Sequence, residues 1–341
     1  MTGDDRTTSA MTTTRWAVLG TGQIAGVFTD ALAATADAEV VAVASTDPAR
    51  ARAFTAGRGI PVAGTYDEVL AADVDAVYVA TVHTTHADLA VRALRAGLPV
   101  LCEKPLAPDA AQVDAVLAAA AEARLPVVEA YKYRFTPFAD ALRSVITSGR
   151  IGAVRSLRAE FGFTSLSRTG RLFDPALAGG AVYDVGGYPV SLAVAVARWA
   201  GVPPETLSVG RVEGRLSRRG VDERTRAVLA APGVDGPGFE AHVAAAITRT
   251  LTRAVTVEGE HGTVHAADGW GTRGVSATGF EIRTAAGVER VEVPVVNAFA
   301  AEAAALVAAA SAGVTEVEGM PWGDTTATAR LLDAWRGALA P

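Results

Sequence analysis

The stretch VLCEKPLAPDA, residues 100–110, sets Glu103, Lys104 and Pro105 directly after an apolar run that reads as the end of a buried strand. Proline marks the strand end, because it cannot donate to a ladder. What the lysine does depends on what precedes it. Upstream, Gly20-Thr-Gly22-Gln23-Ile24-Ala25 follows the apolar run RWAVL and opens a stretch of helical spacing. In that setting the first glycine permits a tight turn and the second lets a pyrophosphate approach the backbone. Ala25 keeps helix and strand close, and the helix N-terminus faces the phosphates. Gly20, Gly22, Gln23, Ile24 and Ala25 are therefore candidate dinucleotide contacts.

About twenty residues on, at the end of the second strand, an NAD site usually holds a carboxylate for the ribose 2′-OH. The chain has Ser45 and Thr46 there, with Arg50 one helical turn further along. Those side chains suit a 2′-phosphate, so NADP is the expected cofactor, with NAD possible. Asp47 leaves two readings open: an acid for the ribose, or the cap of a helix that begins at Pro48.

These residues need a scaffold. From residue 15 to about 133, strands and helices alternate without a break, and the strands are continuous Val/Ala/Leu runs. This is the pattern of a parallel sheet covered on both faces. In a doubly wound sheet the strand C-termini line the ligand crevice, which aims Lys104 at the cofactor. Thr81, His83, His86 and Glu103 lie at strand ends of the same sheet and join the candidate contacts. His83 and His86 are not read as a metal pair, because no Cys, Asp or Glu at ligand spacing accompanies them.

After Arg134 the rhythm changes. A helix and a long strand lead to a helix starting near Gly186; residues 205–295 are largely short strands with Gly or Asp turns, and the last 46 residues are helical. The fold class expected is α/β: an N-terminal Rossmann doubly wound parallel sheet plus a C-terminal α+β domain with a large, mostly antiparallel open sheet. The divisions expected are a disordered tail at 1–14, a dinucleotide-binding domain at 15–133, and a substrate-binding and oligomerisation domain at 134–341. The stretch 232–238 reads as a hairpin tip.

Composition narrows the classes. The chain has 341 residues, half of them hydrophobic and 20% charged, with net charge −6. Such a balance gives no electrostatic reason for nucleic acid or an anionic membrane as partner. A single cysteine, Cys102, rules out an intramolecular disulfide and points to a reducing, cytoplasmic setting. No apolar run reaches the roughly 18 residues of a membrane span, and the Thr-rich N-terminus does not read as a signal peptide.

With the motifs in place, the chain resembles the glucose–fructose oxidoreductase / inositol dehydrogenase (Gfo/Idh/MocA) family over about residues 15–338. The resemblance rests on GTGQIA, the E-K-P tripeptide at 103–105, EAYKYRFTP at 129–137 and GGAVYDVGGYP at 179–189. The last two further resemble the NADP-linked dihydrodiol and D-xylose dehydrogenase branch. The resemblance implies a usually cis Lys104–Pro105 bond, Tyr188 as the catalytic tyrosine and Asp184 as the motif's acid. The family often has Pro and Asn where this chain has Val82 and His83.

Physical chemistry agrees with that assignment. A carbinol carbon gives up hydride easily only if its hydroxyl proton leaves too, which calls for a positioned acid/base. A free tyrosine has a pKa of roughly 10, and a lysine ammonium within about 4–6 Å lowers it. Lys104 and Tyr188, one from each domain, are the expected pair, with Asp184 either orienting substrate or lysine or only capping the helix. Arg134, Arg171 and Asp174 are candidate contacts to a sugar-like substrate, or else ion pairs. The open sheet is the expected homodimer surface. Two further readings are a non-catalytic dinucleotide-dependent sensor and a non-redox enzyme using tightly bound NAD.

Overall fold

The computed structural model describes residues 13–233, 238–272 and 274–339. Residues 1–12 of the tail expected at 1–14, and most of the expected hairpin tip, at 234–237, lie outside the described residues. Thr14, placed in the tail by the sequence, instead opens the first strand, its N–H bonded to the Asp37 carbonyl.

The first layer runs β1 (Thr14–Leu19), α1 (Gln23–Leu32), β2 (Ala38–Ala44), α2 (Pro48–Ala56), β3 (Val62–Gly64), α3 (Tyr66–Leu70), β4 (Ala76–Val79), α4 (His86–Arg95), β5 (Val100–Cys102), α5 (Ala110–Ala123) and β6 (Val127–Glu129). All six strands are parallel, in the order β3-β2-β1-β4-β5-β6. The order reverses between β1 and β4, which opens a crevice beyond their C-terminal ends. The strands are apolar on both faces because both are covered. Val18 faces one core cluster while Ala17 and Leu19 face the other.

Next come α6 (Pro137–Thr147), β7 (Val154–Gly162) and α7 (Gly187–Trp199). A π-helical turn, Val182–Gly186, leads into α7. Pro189 lacks the N–H that the Val185 carbonyl would accept in a regular helix, and the chain widens just before it. Gly187 is required there, since a Cβ on it would meet the Tyr131 hydroxyl at 2.2 Å. The helical stretch Pro175–Trp199 is long and apolar enough to cross a membrane, but 94% of its apolar window is buried inside the protein. It is a core helix, and its apolar character is explained by packing.

β8 (Ser208–Leu216), β9 (Asp222–Ala231), β10 (Phe239–Ala246), β11 (Val255–Gly259), β12 (Gly262–Ala266), β13 (Gly279–Thr284) and β14 (Gly287–Glu292) complete a second sheet with β7. Its order is β14-β13-β12-β11-β7-β10-β9-β8, antiparallel except between β7 and β10. The expected mostly antiparallel sheet is thus present. Its open face is more polar than the sequence pattern implied: Arg158, Arg226, His242 and Thr256 alternate with small apolar residues such as Ala244.

Finally α8 (Ala298–Ala312) and α9 (Trp322–Gly337) turn back towards the first layer, α8 against α1 and α9 against α5 as well as α7. One core cluster runs without interruption from Trp16, Phe28 and Tyr78 to Tyr188, Trp270 and Trp335. The two sheets therefore share a core.

At the end of β6, Glu129 is buried, and its Oε1 accepts the Leu106 N–H at 3.0 Å while Oε2 has no partner. Burial pushes its carboxyl up to about 7. The folded state therefore holds this proton over a range where the unfolded chain, with a carboxyl near its ordinary value, releases it. Stability falls as pH rises through roughly 4.5 to 7 on this account. Asp222, raised to about 6 by burial, adds in the same direction. Glu129→Gln is expected to flatten the fall relative to the parent, which urea unfolding at a series of pH values would measure.

Candidate active site

α1 begins directly after the glycine turn, and no side chain caps its first N–H groups. The turn forms one wall of a cavity of about 1020 Å³ at the C-terminal ends of β1, β2 and β4. Gly20 has a φ of +123°, and a Cβ on it would lie 2.3 Å from the Ala80 carbonyl oxygen. Nothing lies within 4 Å of a Cβ on Gly22. The first glycine is thus required by the crossing of two strand ends. The second leaves the main chain open to a ligand. These residues fit a dinucleotide whose pyrophosphate rests on the helix N-terminus. Gln23 and Ile24 line the same wall, whereas Ala25 is fully buried beneath it and acts through packing.

Ser45, Thr46 and Arg50 form the far end of the cavity. The Arg50 guanidinium donates to Thr46 Oγ1 at 2.9 Å. Asp47 resolves to the capping reading: its Oδ1 accepts the Ala49 N–H at 2.9 Å, with Pro48 at the first helical position. Tyr66, at the start of α3, joins this end and is absent from the sequence-based set.

At the other end, Thr81, His83, His86, Glu103 and Lys104 line the cavity together with Arg171 and Tyr188. The Lys104–Pro105 peptide is cis, as the resemblance implied. Lys104 Nζ donates to the Asp184 main-chain carbonyl at 2.5 Å and lies 5.4 Å from the centre of the Tyr188 ring. The phenol oxygen itself accepts from a different lysine, Lys132, at 2.7 Å. Burial pushes the Tyr188 phenol above its ordinary value, against the pull of Lys104. The lowering expected from a nearby ammonium is therefore outweighed by burial in this structure. Asp184 is also buried, which disfavours its charge, yet Lys104 and Arg171 hold its carboxyl below the usual range. The Arg171 guanidinium donates to Asp184 Oδ1 at 2.9 Å.

The histidines differ in task. Burial, with the neighbouring ring of His86 and the charge of Lys104, lowers His83 to about 3, so the ring is neutral. Its Nδ1–H must be the donor to the Ala178 carbonyl at 3.2 Å, which leaves Nε2 to accept from Arg171 at 3.5 Å. His86 sits between the Pro105 carbonyl at 2.8 Å and the Thr81 carbonyl at 3.3 Å, holding the loop after the cis bond.

Two proposed substrate contacts lie elsewhere. Arg134 is buried and donates to the carbonyls of Gly319 and Ser191 and to Asp324 Oδ2, the last at 2.5 Å. It ties the turn after β6 to α7 and α9. Asp174 caps a short helical turn, its Oδ1 accepting the Ala176 N–H at 2.9 Å, and is not part of the cavity wall. Lys132, Gly274 and Phe299 line the cavity although the sequence reading does not include them. Lys132 follows the end of β6, so the strand-end criterion that selects Lys104 would also have selected it. Gly274 arrives from a distant loop and Phe299 from the first turn of α8, and neither carries a local signal. Among the described residues, no three His, Cys, Asp or Glu side chains gather as a metal site.

Comparison with known proteins decides the family. Residues 14–131 match the description "Oxidoreductase family, NAD-binding Rossmann fold", and residues 139–265 match the GFO/IDH/MocA C-terminal domain. The chain belongs to the Gfo/Idh/MocA family of oxidoreductases. It is 38% identical to human trans-1,2-dihydrobenzene-1,2-diol dehydrogenase over 254 residues, 73% of each protein. It is 32% identical to the enzyme of the same name from Xenopus tropicalis, over 79% of this chain and 80% of that one. Among solved structures it is similar to KijD10, a 3-ketoreductase from Actinomadura kijaniata, in complex with NADP and TDP-benzene. That likeness has a TM-score of 0.82 and 27% identity, over 96% of this chain and 99% of that one.

Within this Gfo/Idh/MocA site the Arg134–Asp324 contact separates structure from chemistry. Asp324 also accepts from Arg198 at 3.0 Å and is 1% exposed. Arg134→Met leaves Asp324 with Arg198 alone and the Gly319 and Ser191 carbonyls without this donor. It is expected to cost about 1–3 kcal/mol of stability. Chemical denaturation measures that loss, and KM for substrate in the protein that remains folded should stay within about twofold of the parent if Arg134 only braces the fold.

Proposed function

We propose that the protein is an NAD(P)-dependent dehydrogenase that moves a hydride between the nicotinamide and a carbinol or carbonyl carbon of a sugar or related polyol. Tyr188 is the acid/base and Lys104 its charge partner. The observation that carries the reading is that Tyr188, from the second layer, lines the end of the dinucleotide cavity beside Lys104 from the first. When bound, the nicotinamide supplies the two-electron acceptor or donor. The chain's own residues do the rest. In oxidation the Tyr188 phenolate takes the hydroxyl proton of the substrate; in reduction the phenol returns it to the carbonyl oxygen.

Lys104, braced on the Asp184 carbonyl, keeps a positive charge beside the ring and favours the phenolate when the proton leaves. Arg171, about half exposed at the cavity wall, presents a guanidinium suited to substrate hydroxyls, and neutral His83 steadies it through Nε2. The dihydrodiol dehydrogenase relatives support a carbinol carbon as the reacting centre. NADP is preferred over NAD because Ser45, Thr46 and Arg50 replace a ribose-binding acid, and because Asp47 is held as a helix cap. The NADP complex of KijD10 supports the same choice. A second copy of the chain is the expected partner on the open sheet face, and analytical ultracentrifugation tests for a dimer.

Tyr188→Phe keeps the ring and removes the only atom that exchanges the proton. Turnover is expected to fall by on the order of 10²–10⁴, with cofactor affinity nearly unchanged. Lys104→Met should cost a comparable factor, and the double variant should be little worse than either alone, because residues that act as a unit are not additive. Near-normal turnover in Tyr188→Phe would show that another group moves the proton. For the cofactor, dissociation constants at one salt concentration should favour NADP, and Arg50→Ala should weaken NADP by roughly tenfold, the loss of one charge-assisted hydrogen bond, while leaving NAD unaffected. Tighter binding of NAD by the parent would overturn the preference.

A further inference from the structure

Of the 31 Lys and Arg residues in the chain, two are lysines, Lys104 and Lys132. Both ammonium groups lie against the same ring, 5.4 Å and 4.8 Å from the centre of Tyr188. Every other position that calls for a basic side chain has arginine, whose guanidinium does not lose its proton in proteins. Lysine is compact and changes its ionisation readily when buried. A sequence this biased towards arginine retains lysine only beside the phenol.

Lys132 also has an unusual companion. α8 packs against α1 and the turn that holds Lys132, and on it Glu302 is fully buried. Neither Glu302 carboxylate oxygen has a hydrogen-bond partner. A carboxylate without partners in an apolar interior is strongly unfavourable, and a leucine of similar size would serve the packing better. The groups whose charge acts on Lys132 come from several elements: Glu302 from α8, Glu103 from the end of β5, Arg253 and Asp268 from the loops around β11 and β12, and Tyr188 from α7. Burial lowers the Lys132 ammonium below its ordinary range, with Glu302 opposing this most strongly. Burial with Glu103 raises the Glu302 carboxyl well above its own, with Lys132 pulling it down, so that each of the two carries its charge only while the other does.

We propose that Lys132 is a second lysine of the acid/base site, whose charge is set by Glu302 and delivered to Tyr188 through the 2.7 Å hydrogen bond. The inference rests on Tyr188 as the acid/base. Lys132 and Glu302 are positioning residues, acting only through the phenol oxygen. In oxidation the carbon-bound hydrogen leaves as hydride to the nicotinamide, and the hydroxyl proton goes to the Tyr188 phenolate. Lys132 keeps its own proton throughout, and its ammonium holds the phenolate before transfer. Without the Glu302 charge, Lys132 sheds that proton at lower pH and the phenolate loses its neighbour. Arg would hold its charge regardless of Glu302. The two glutamates share the work of compensating two lysines, Glu302 being the one that no hydrogen bond occupies.

The scarcity of lysine makes the test direct. Protein labelled with carbon-13 and nitrogen-15 in lysine should give two side-chain signals, and Lys132→Arg assigns one by removing it. In the cofactor-free full-length protein, Lys132 should titrate below the ordinary lysine range. Glu302→Gln should move its midpoint down by at least about one pH unit, the usual effect of one nearby opposite charge. Glu302→Leu, which replaces the carboxyl with an apolar group of similar size, should do the same and serves where the Gln variant folds poorly. In turnover, the alkaline limb of the pH profile should follow the Lys132 midpoint, move down in Glu302→Gln and vanish in Lys132→Arg. Lys132→Met should lose on the order of 10²-fold in turnover, and Lys132→Arg no more than about tenfold. An unchanged or raised midpoint in both Glu302 variants would overturn the role of Glu302, and equal turnover in the Met and Arg variants would overturn the role of charge. Normal turnover in Tyr188→Phe would instead overturn the acid/base reading while leaving the Glu302-dependent lysine titration in place, so the two failures are distinct.

Discussion

The hydrogen bond from Lys104 Nζ to the Asp184 main-chain carbonyl joins the end of β5 in the parallel sheet to the π turn that precedes α7. The acceptor is a main-chain carbonyl held in a helical turn, and the donor stem springs from a strand terminus. The geometry around it follows. Asp184 presents its carboxylate to Arg171, Arg171 reaches His83, and Tyr188 stands one turn further along the same helix. A side-chain acceptor at that point would swing with its rotamer. A main-chain carbonyl inside a buried helix does not, which makes it a firm anchor for a flexible lysine stem.

The shared core gives that link its rigidity. Trp16, Phe28 and Tyr78 on the dinucleotide side belong to the same apolar cluster as Tyr188, Trp270 and Trp335. The terminal helices close the assembly from behind, α8 against α1 and α9 against α5 and α7. The cavity is therefore lined by residues from distant parts of the chain, from Gly20 to Phe299. The candidate site is a seam between the two layers, and neither layer by itself contains it.

Burial and charge compete along that seam. Desolvation pushes the Tyr188 phenol and the Glu302 carboxyl up, and pushes Lys132 and His83 down, so each group drifts towards its neutral form. Asp184 goes the other way, because two cations face it. The dry environment strengthens every interaction made within it. It also means that a side chain's ionisation is decided by its neighbours more than by its own chemistry.

Local sequence carried a large part of this protein. The glycine turn, the alternation of apolar strands with helices and the E-K-P tripeptide are short-range patterns, and each has a local physical cause: a steric requirement, a periodicity, a strand terminus. They sufficed for the parallel sheet, the dinucleotide crevice and the place of Lys104, whereas Tyr188 came from the resemblance of GGAVYDVGGYP to a family motif. Local pattern did not separate Arg134, which braces Asp324, from Arg171, which lines the cavity, since both are arginines near a motif. It gave two readings for Asp47 until the Ala49 N–H was found on its carboxylate. It said nothing of Glu302, an acid in an alanine-rich helix whose significance appears only when α8 folds back beside Lys132. The sequence by itself determined which elements form and which residues stand at their ends, because those follow from interactions among neighbours along the chain. Tertiary structure alone decided which charges meet, because burial and charge pairing depend on distances between residues nearly 200 positions apart.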